Sequence, residues 1–184
     1  VQAGASDEGR ELAAEFAEAI FSPHLNIPEA KAYYDDLKGR MQKNYNRNPD
    51  HLKVLPGLSV VVAESEDKAA EDFELIQSLI HPIVGREILA TMLGGVDLSQ
   101  YDLDGPVPDI PANTARVSAS ASYLTIARRE GMTIRQLAMR AAVAKHHWSI
   151  VGSVKQIADQ FEEWFTQGAA DGFNVLPSDA PGAI

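Results

Sequence analysis

An α/β fold of parallel strand–helix units is what this sequence predicts, and three observations predict it. Residues 6–65 alternate helical and extended patterns in short, closely connected segments, the order that lays helices against a parallel sheet. The extended segments "AIFSP" and "LKVLPGLSVVVAES" are largely apolar runs, as strands buried on both faces require. Near its end the chain returns to the same order, with an amphipathic helix followed by "GFNVLP".

Each element has a local reason. Residues 6–20 carry Leu12, Phe16, Ala19 and Ile20 at helical spacing. Ser6 stands as the N-cap, and Asp7 and Glu8 put negative charge at the positive end of the helix dipole. "AIFSP" is too brief for a helix, is closed by Pro23 and reads as a buried strand. "IPEAKAYYDDLKGRMQKNY" follows as a helix with Pro28 in its first turn and Tyr33, Leu37, Met41 and Tyr45 in i,i+4 steps, and "NRNPD" ends it. The stretch 52–65 is the strongest strand, with Pro56-Gly57 predicting a bulge or kink. "SEDKAAEDFELIQSLI" and "VGREILATML" are two further helices. Residues 94–115 hold three Pro and three Gly and form a long loop, a kind of segment that is uncommon in compact domains and often a lid or binding element. Helices near 115–130 and 132–145 follow. From Trp148 the chain reads as a short strand or turn, then a helix with Ile157, Phe161, Trp164 and Phe165 inward, Gly168 at its C-terminus and a last strand.

Composition bounds the function. With 184 residues, 45% hydrophobic and 23% charged, the chain 1–184 reads as one globular domain. Twenty-six acidic against sixteen basic residues leave a formal charge of -10, which gives no basic footprint for nucleic acid or anionic lipid. Cysteine is absent, excluding disulfides and thiolate chemistry, and no apolar run approaches the roughly 18 residues of a membrane span. A cytoplasmic enzyme is the expectation. No His pair has helical i,i+4 spacing and no carboxylate cluster accompanies one, so no metal is expected. The absence of a G-x-S-x-G elbow, a Walker loop and a G-x-G-x-x-G turn removes hydrolase, P-loop and dinucleotide-binding readings.

Three stretches, "QAGASDEGRELAAEFAEAIF", "LKVLPGLSVVVAES" and "VGSVKQIADQFEEWFTQGAADGFNVLP", resemble in order the C-terminal half of the bacterial-luciferase-like flavin monooxygenases. The resemblance is to the branch of nitrilotriacetate monooxygenase component A and dibenzothiophene-sulfone monooxygenase, whose long insertion "GGVDLSQYDLDGPVPDIP" also resembles. It implies the C-terminal half of a (β/α)8 TIM barrel with a helical and loop insertion at about 80–130. A closed barrel needs about 250 residues, so a fragment is expected: inactive alone, starting within a barrel strand and stopping before the family's closing helix. It further implies reduced FMN as cofactor, an NAD(P)H:flavin reductase as partner, a small organic or organosulfur substrate, and a homo-oligomer. The rival readings are a deazaflavin-dependent oxidoreductase of the same superfamily, transferring hydride, and a non-catalytic assembly module.

The "QAGAS" junction sets two small residues and a hydroxyl at a strand's C-terminal end, where barrel active sites lie. A helix N-terminus there offers backbone N–H groups to an anion. The resemblance implies that this segment touches the phosphate end of FMN, with Ala5 and Ser6 in contact and Gly4 and Gly9 as spacing, so that Gln2, Gly4, Ala5 and Ser6 are the candidate flavin-binding residues. The same residues also read as a turn and an ordinary N-cap, and Asp7 and Glu8 compete for the dipole. His146 and His147 offer imidazoles able to orient or protonate an oxygenated intermediate, or a helix C-terminal cap; His147 is the candidate catalytic residue. His24, after "AIFSP", is a similar candidate, whereas His51 and His81 read as surface residues. The 94–115 loop is the candidate for substrate enclosure. Ser153 reads as an N-cap after Gly152, Asp35-Asp36 and Glu162-Glu163 as solvated helix faces, and Trp148, Trp164, Phe165 and Phe173 as core.

Overall fold

The computed structural model describes residues 1–110, 118–144 and 147–177. In chain order these form α1 (Asp7–Phe16), β1 (Ala19–Ser22), α2 (Ile27–Tyr45), a 3-10 turn (Pro49–His51), β2 (Lys53–Ala63), α3 (Glu66–Ser78), α4 (Pro82–Met92), α5 (Ser118–Glu130), α6 (Ile134–Ala144), β3 (Trp148–Ser153), α7 (Val154–Thr166) and β4 (Asn174–Pro177). Two compact units result, Val1–Ala69 with His147–Ile184, and Ala70–His146. No described helix is long and apolar enough to cross a membrane.

β2 organises the first unit, and every strand pairs with it in parallel. β1 covers its first part, Ala19 opposite Lys53 through Ser22 opposite Pro56. β3 covers its second part, Leu58 opposite Trp148 through Ala63 opposite Ser153, and β4 pairs from Gly57 to Val60. The N–H and C=O of Val54 both go to Asp171, ahead of β4, while the neighbouring Lys53 N–H bonds Glu18 beside β1. Adjacent residues of a parallel strand bond to opposite edges, so β1 and β3 occupy successive stretches of one edge of β2 and β4 the other. The predicted bulge at Pro56-Gly57 is absent: β2 runs unbroken. Pro56, with no N–H to donate, falls between Val54, served by Asp171, and Gly57, where β4 pairing begins.

Within this unit α1, α2 and α7 cover one face of the sheet. Tyr33, Leu37 and Met41 of α2 are buried with Ile20, Leu52 and Val54, and Tyr45 packs partly buried at their rim; each large apolar side chain so buried contributes about 1.5–3 kcal/mol. Asn26 caps α2 through Glu29 N–H, and Asn46, in the left-handed conformation, ends it. α1 departs from expectation. It stops at Phe16, Ile20 belongs to β1, and Leu12 and Phe16 are 53% and 67% exposed. Ala13, Ala14 and Ala17 form the buried face instead, because small side chains let α1 approach the sheet closely.

α7 begins in a capping box in which Ser153 Oγ accepts from Gln156 N–H and the Gln156 side chain accepts from Ser153 N–H. Ile157 and Trp164 are buried, Phe161 is partly so, and Trp164 stacks on Trp148 with ring centroids 4.3 Å apart. Phe165, expected inward, is exposed: it is one residue and about 100° round the helix from Trp164, which takes the inward position. Gly168, with positive φ, ends α7.

In the second unit α4 packs on α6, where Gly85 leaves room for Met139, with Leu89, Leu137 and Ala138 buried. The loop after α4 is pinned to the start of α6: Ile134 and Arg135 N–H donate to the carbonyls of Gly105 and Leu103, and Arg135 pairs with Asp104 at 2.7 Å. The rest of that loop, 111–115, the start expected for the next helix, 115–117, and His146 lie outside the described residues.

Candidate active site

The first candidate residues stand at the junction before α1. Gln2 pairs with Ile20 in a parallel bridge, N–H to Ala19 and C=O from Phe21 N–H, and so shares the helix-facing side with Ile20. Its amide folds over Gly4, where a Cβ would collide with Gln2 Nε2 and sit 3.2 Å from Gly9 Cα. Glycine at 4 is therefore a packing requirement, and Gly9 answers it from the helix. Gln2 Oε1 is buried with no hydrogen-bond partner among the described residues.

Two carbonyls of this junction are held from the helix side. The Tyr33 hydroxyl donates to Gly4 C=O at 3.3 Å and Arg10 Nε donates to Ala5 C=O at 3.1 Å. The Arg10 guanidinium lies 5.6 Å from the centre of the Tyr33 ring, so both holds come from one direction. In a planar trans peptide the next residue's N–H points opposite the carbonyl. Ala5 N–H and Ser6 N–H therefore point together away from the helices, and neither has a partner among the described residues. Successive N–H groups aimed alike form a concavity suited to an anion.

The charges around the junction are arranged compatibly. Ser6 Oγ accepts from Gly9 N–H at 3.1 Å, the N-cap the sequence predicts. The Asp7 carboxylate is drawn onto Arg40 at 2.5 Å, which also binds Glu11 at 2.9 Å and Asp36 at 3.1 Å. Asp36 takes Arg10 as well, at 2.9 Å. Asp36 is thus the hub of an ion network rather than a free solvated face. Hydrogen bonds and charge from Arg10 and Arg40 outweigh its partial burial and hold its pKa below the usual carboxylate value.

His24 follows β1 and sits against the same α2. Its ring lies 4.7 Å from that of Tyr33, centroid to centroid, and its Nδ1 is buried without a hydrogen-bond partner among the described residues. Burial lowers its pKa, Glu29 opposing and Arg10 assisting. Burial also pushes the Tyr33 phenol up to about 12, so at neutral pH it is a hydrogen-bond donor.

His147 lies elsewhere on the sheet. It immediately precedes β3, with its Nδ1 buried and its ring 4.9 Å from that of Phe21, which follows Ile20 in β1 and so faces away from the helices. Ser149 and Ser59, paired in register, continue that face. On the opposite, helix-facing side a cleft of about 260 Å³ is lined by Val60, Val62, Ile157, Phe161, Val175 and others, all hydrocarbon and without acid–base chemistry. His51 and His81 are exposed, His81 serving as N-cap of α4. No group of three or more metal-ligating side chains gathers among the described residues. The sequence singles out Gly4 and Ser6 at this junction but not Arg10 and Tyr33, whose bonds to its carbonyls the structure adds: Tyr33 carried only the signal of an apolar helix position.

Parallel strands covered by helices, with candidate polar groups at strand C-terminal ends, are an arrangement that (β/α)8 barrels share. Residues 1–171 match the family model described as luciferase-like monooxygenase. The chain belongs to that family. It is 48% identical over 182 residues to nitrilotriacetate monooxygenase component A of Aminobacter aminovorans, covering 98% of this chain and 40% of the relative. It is 32% identical to dibenzothiophene-sulfone monooxygenase of Rhodococcus erythropolis, covering 100% and 41% respectively. The expected branch is thereby borne out, and the chain spans about two fifths of the length of these relatives. The crystal structure of DmoA from Hyphomicrobium sulfonivorans superposes with a TM-score of 0.83 at 23% identity, over 98% of this chain and 37% of that one. The fold is accordingly part of a luciferase-like TIM barrel.

Proposed function

We propose that this chain is part of a two-component, FMN-dependent monooxygenase, a cytoplasmic and homo-oligomeric enzyme that receives reduced FMN from a separate NAD(P)H:flavin reductase and oxygenates a small organic or organosulfur substrate. Reduced FMN, when bound, supplies the electrons that let one atom of O2 enter the substrate while the other leaves as water. The observation carrying this reading is the pair of Ala5 and Ser6 N–H groups, held side by side by Tyr33 and Arg10. They suit the phosphate end of FMN, Gly4 leaves the backbone open to it, and Gln2 fills the space behind. Arg10 is neutralised by Asp36, so it orients the turn and does not itself meet the phosphate. His147, with Nδ1 buried, is the imidazole that would take or give a proton.

The test is anaerobic titration of the full-length protein with reduced FMN, followed by substrate-dependent oxygen uptake with a reductase present. Saturable binding and substrate-dependent uptake are expected. A protein that binds no reduced FMN refutes the reading.

A further inference from the structure

Gly57 lies at the seam where one edge of β2 passes from β1 to β3: Ser22 is opposite Pro56, and Trp148 is opposite Leu58. Between these pairings residue 57 has no register partner on that edge. Across this gap Phe21 and His147 make ring contact, centroids 4.9 Å apart and planes inclined by 44°. A Cβ on Gly57 would stand 2.7 Å from His147 Nδ1, and it would collide with Phe21 Cε2. Gly57 has no positive φ that would demand glycine, so the space above it is what requires the missing side chain. That space is filled from both sides by the two rings.

We infer that Gly57 and Phe21 are positioning residues that set where the His147 imidazole stands, an inference that rests on the role proposed above for His147. Phe21 walls one side of the ring and the bare backbone of Gly57 forms its floor. Burial of Nδ1 against that floor fixes the ring's rotation and therefore the direction of Nε2. A methyl group at 57 cannot be met by a small yielding of a flexible chain end, because both neighbours are rigid rings: Phe21 and His147 must both give way, and with them the contact that places the imidazole. Displacing a reacting group by about 1 Å can cost on the order of a hundredfold in rate.

The test uses the full-length enzyme with Gly57→Ala, Phe21→Leu, His147→Ala and the Gly57→Ala/His147→Ala pair. Gly57→Ala is expected to lower kcat about tenfold or more while KM for reduced FMN stays within about twofold, since the Gly4–Ser6 turn is untouched. The double variant is expected to lose no more than His147→Ala alone, as two changes acting through one group do. A second readout is independent of turnover. In a protein carrying labelled histidine, the His147 ring resonances, assigned by their loss in His147→Ala, should shift in Gly57→Ala and lose the ring-current displacement of Phe21 in Phe21→Leu. Should Gly57→Ala not fold, Phe21→Leu carries both the kinetic cycle and the spectrum. Unshifted His147 resonances, or losses that multiply in the double variant, overturn the inference. Wild-type kcat in His147→Ala instead overturns the role of His147, and the spectra alone then decide whether Gly57 and Phe21 position its ring.

Discussion

The Lys38 ammonium lies 3.2 Å from the Asp171 carboxylate, and both side chains are almost withdrawn from solvent, 10% and 14% exposed. Lys38 also donates to the carbonyls of Pro49 and Leu52, while Asp171 accepts from Tyr34 hydroxyl at 3.0 Å and Val54 N–H at 2.8 Å. This cluster joins α2, β2 and the turn before β4 at the N-terminal end of β2. Asp171→Ala removes the shared acceptor and leaves a buried ammonium, a phenol and an amide short of a partner. It should cost about 3–5 kcal/mol in urea unfolding. Asp171→Asn, which keeps an acceptor but loses the charge, should cost less. Equal stability of Asp171→Ala and the parent protein would show that the cluster contributes nothing.

How much of this was legible in the sequence depends on the range of the cause. The extent and buried face of α2 were legible, because Pro28, the i,i+4 apolar steps and the closing "NRNP" are local. The face of α1 was not: hydrophobic size pointed to Leu12 and Phe16, but the close approach of α1 to the sheet selects Ala13, Ala14 and Ala17. Phe165 failed likewise, since two adjacent aromatics cannot both face inward and only the Trp148 partner decides between them. The N-cap of Ser6 and the small residues around it were readable, whereas the Tyr33 and Arg10 bonds that aim the turn depend on how α1 and α2 pack. Gly57 was read as a kink because its reason lies in Phe21 and His147, brought together only by the sheet.

Tyr33→Phe isolates one of the two holds on the Gly4–Ser6 turn, the turn proposed above to meet the flavin phosphate. The ring and its packing against His24 remain, and only the hydroxyl that donates to Gly4 C=O is lost. With that carbonyl released, Ala5 N–H is no longer aimed. The dissociation constant for reduced FMN should rise about fivefold to tenfold, the equivalent of one hydrogen bond, with kcat at saturating flavin unchanged. Isothermal titration under anaerobic conditions measures the first and stopped-flow turnover the second. An unchanged dissociation constant means that the hold is idle.

His24 makes stability depend on pH in a stated direction. Burial lowers its folded pKa beneath the ordinary 6.5, with Arg10 adding to that effect and Glu29 opposing it. The unfolded chain therefore takes up a proton more readily as pH falls through 6.5, and stability drops until the folded pKa is passed, after which this contribution levels off. His24→Gln cannot bind that proton. Its urea midpoint should fall less steeply than that of the parent protein as pH is lowered from about 7 to 5. Parallel midpoint curves for the two proteins would remove His24 as the source.

Ser6 carries two separable roles, and two substitutions divide them. As N-cap its Oγ accepts from Gly9 N–H. Ser6→Ala should therefore destabilise by about 0.5–2 kcal/mol whether or not flavin is bound, whereas glycine at an N-cap costs only a few tenths. Ser6→Gly thus keeps most of the helix start while removing the hydroxyl. If the hydroxyl also meets the FMN phosphate, Ser6→Gly should weaken reduced-flavin binding about as much as Ser6→Ala does, with a near-normal urea midpoint. If only the backbone N–H of residue 6 binds, Ser6→Gly should bind flavin like the parent protein. Anaerobic flavin titration beside urea unfolding of both variants tells these apart, and the second outcome would narrow the phosphate contact to the two N–H groups that Tyr33 and Arg10 aim.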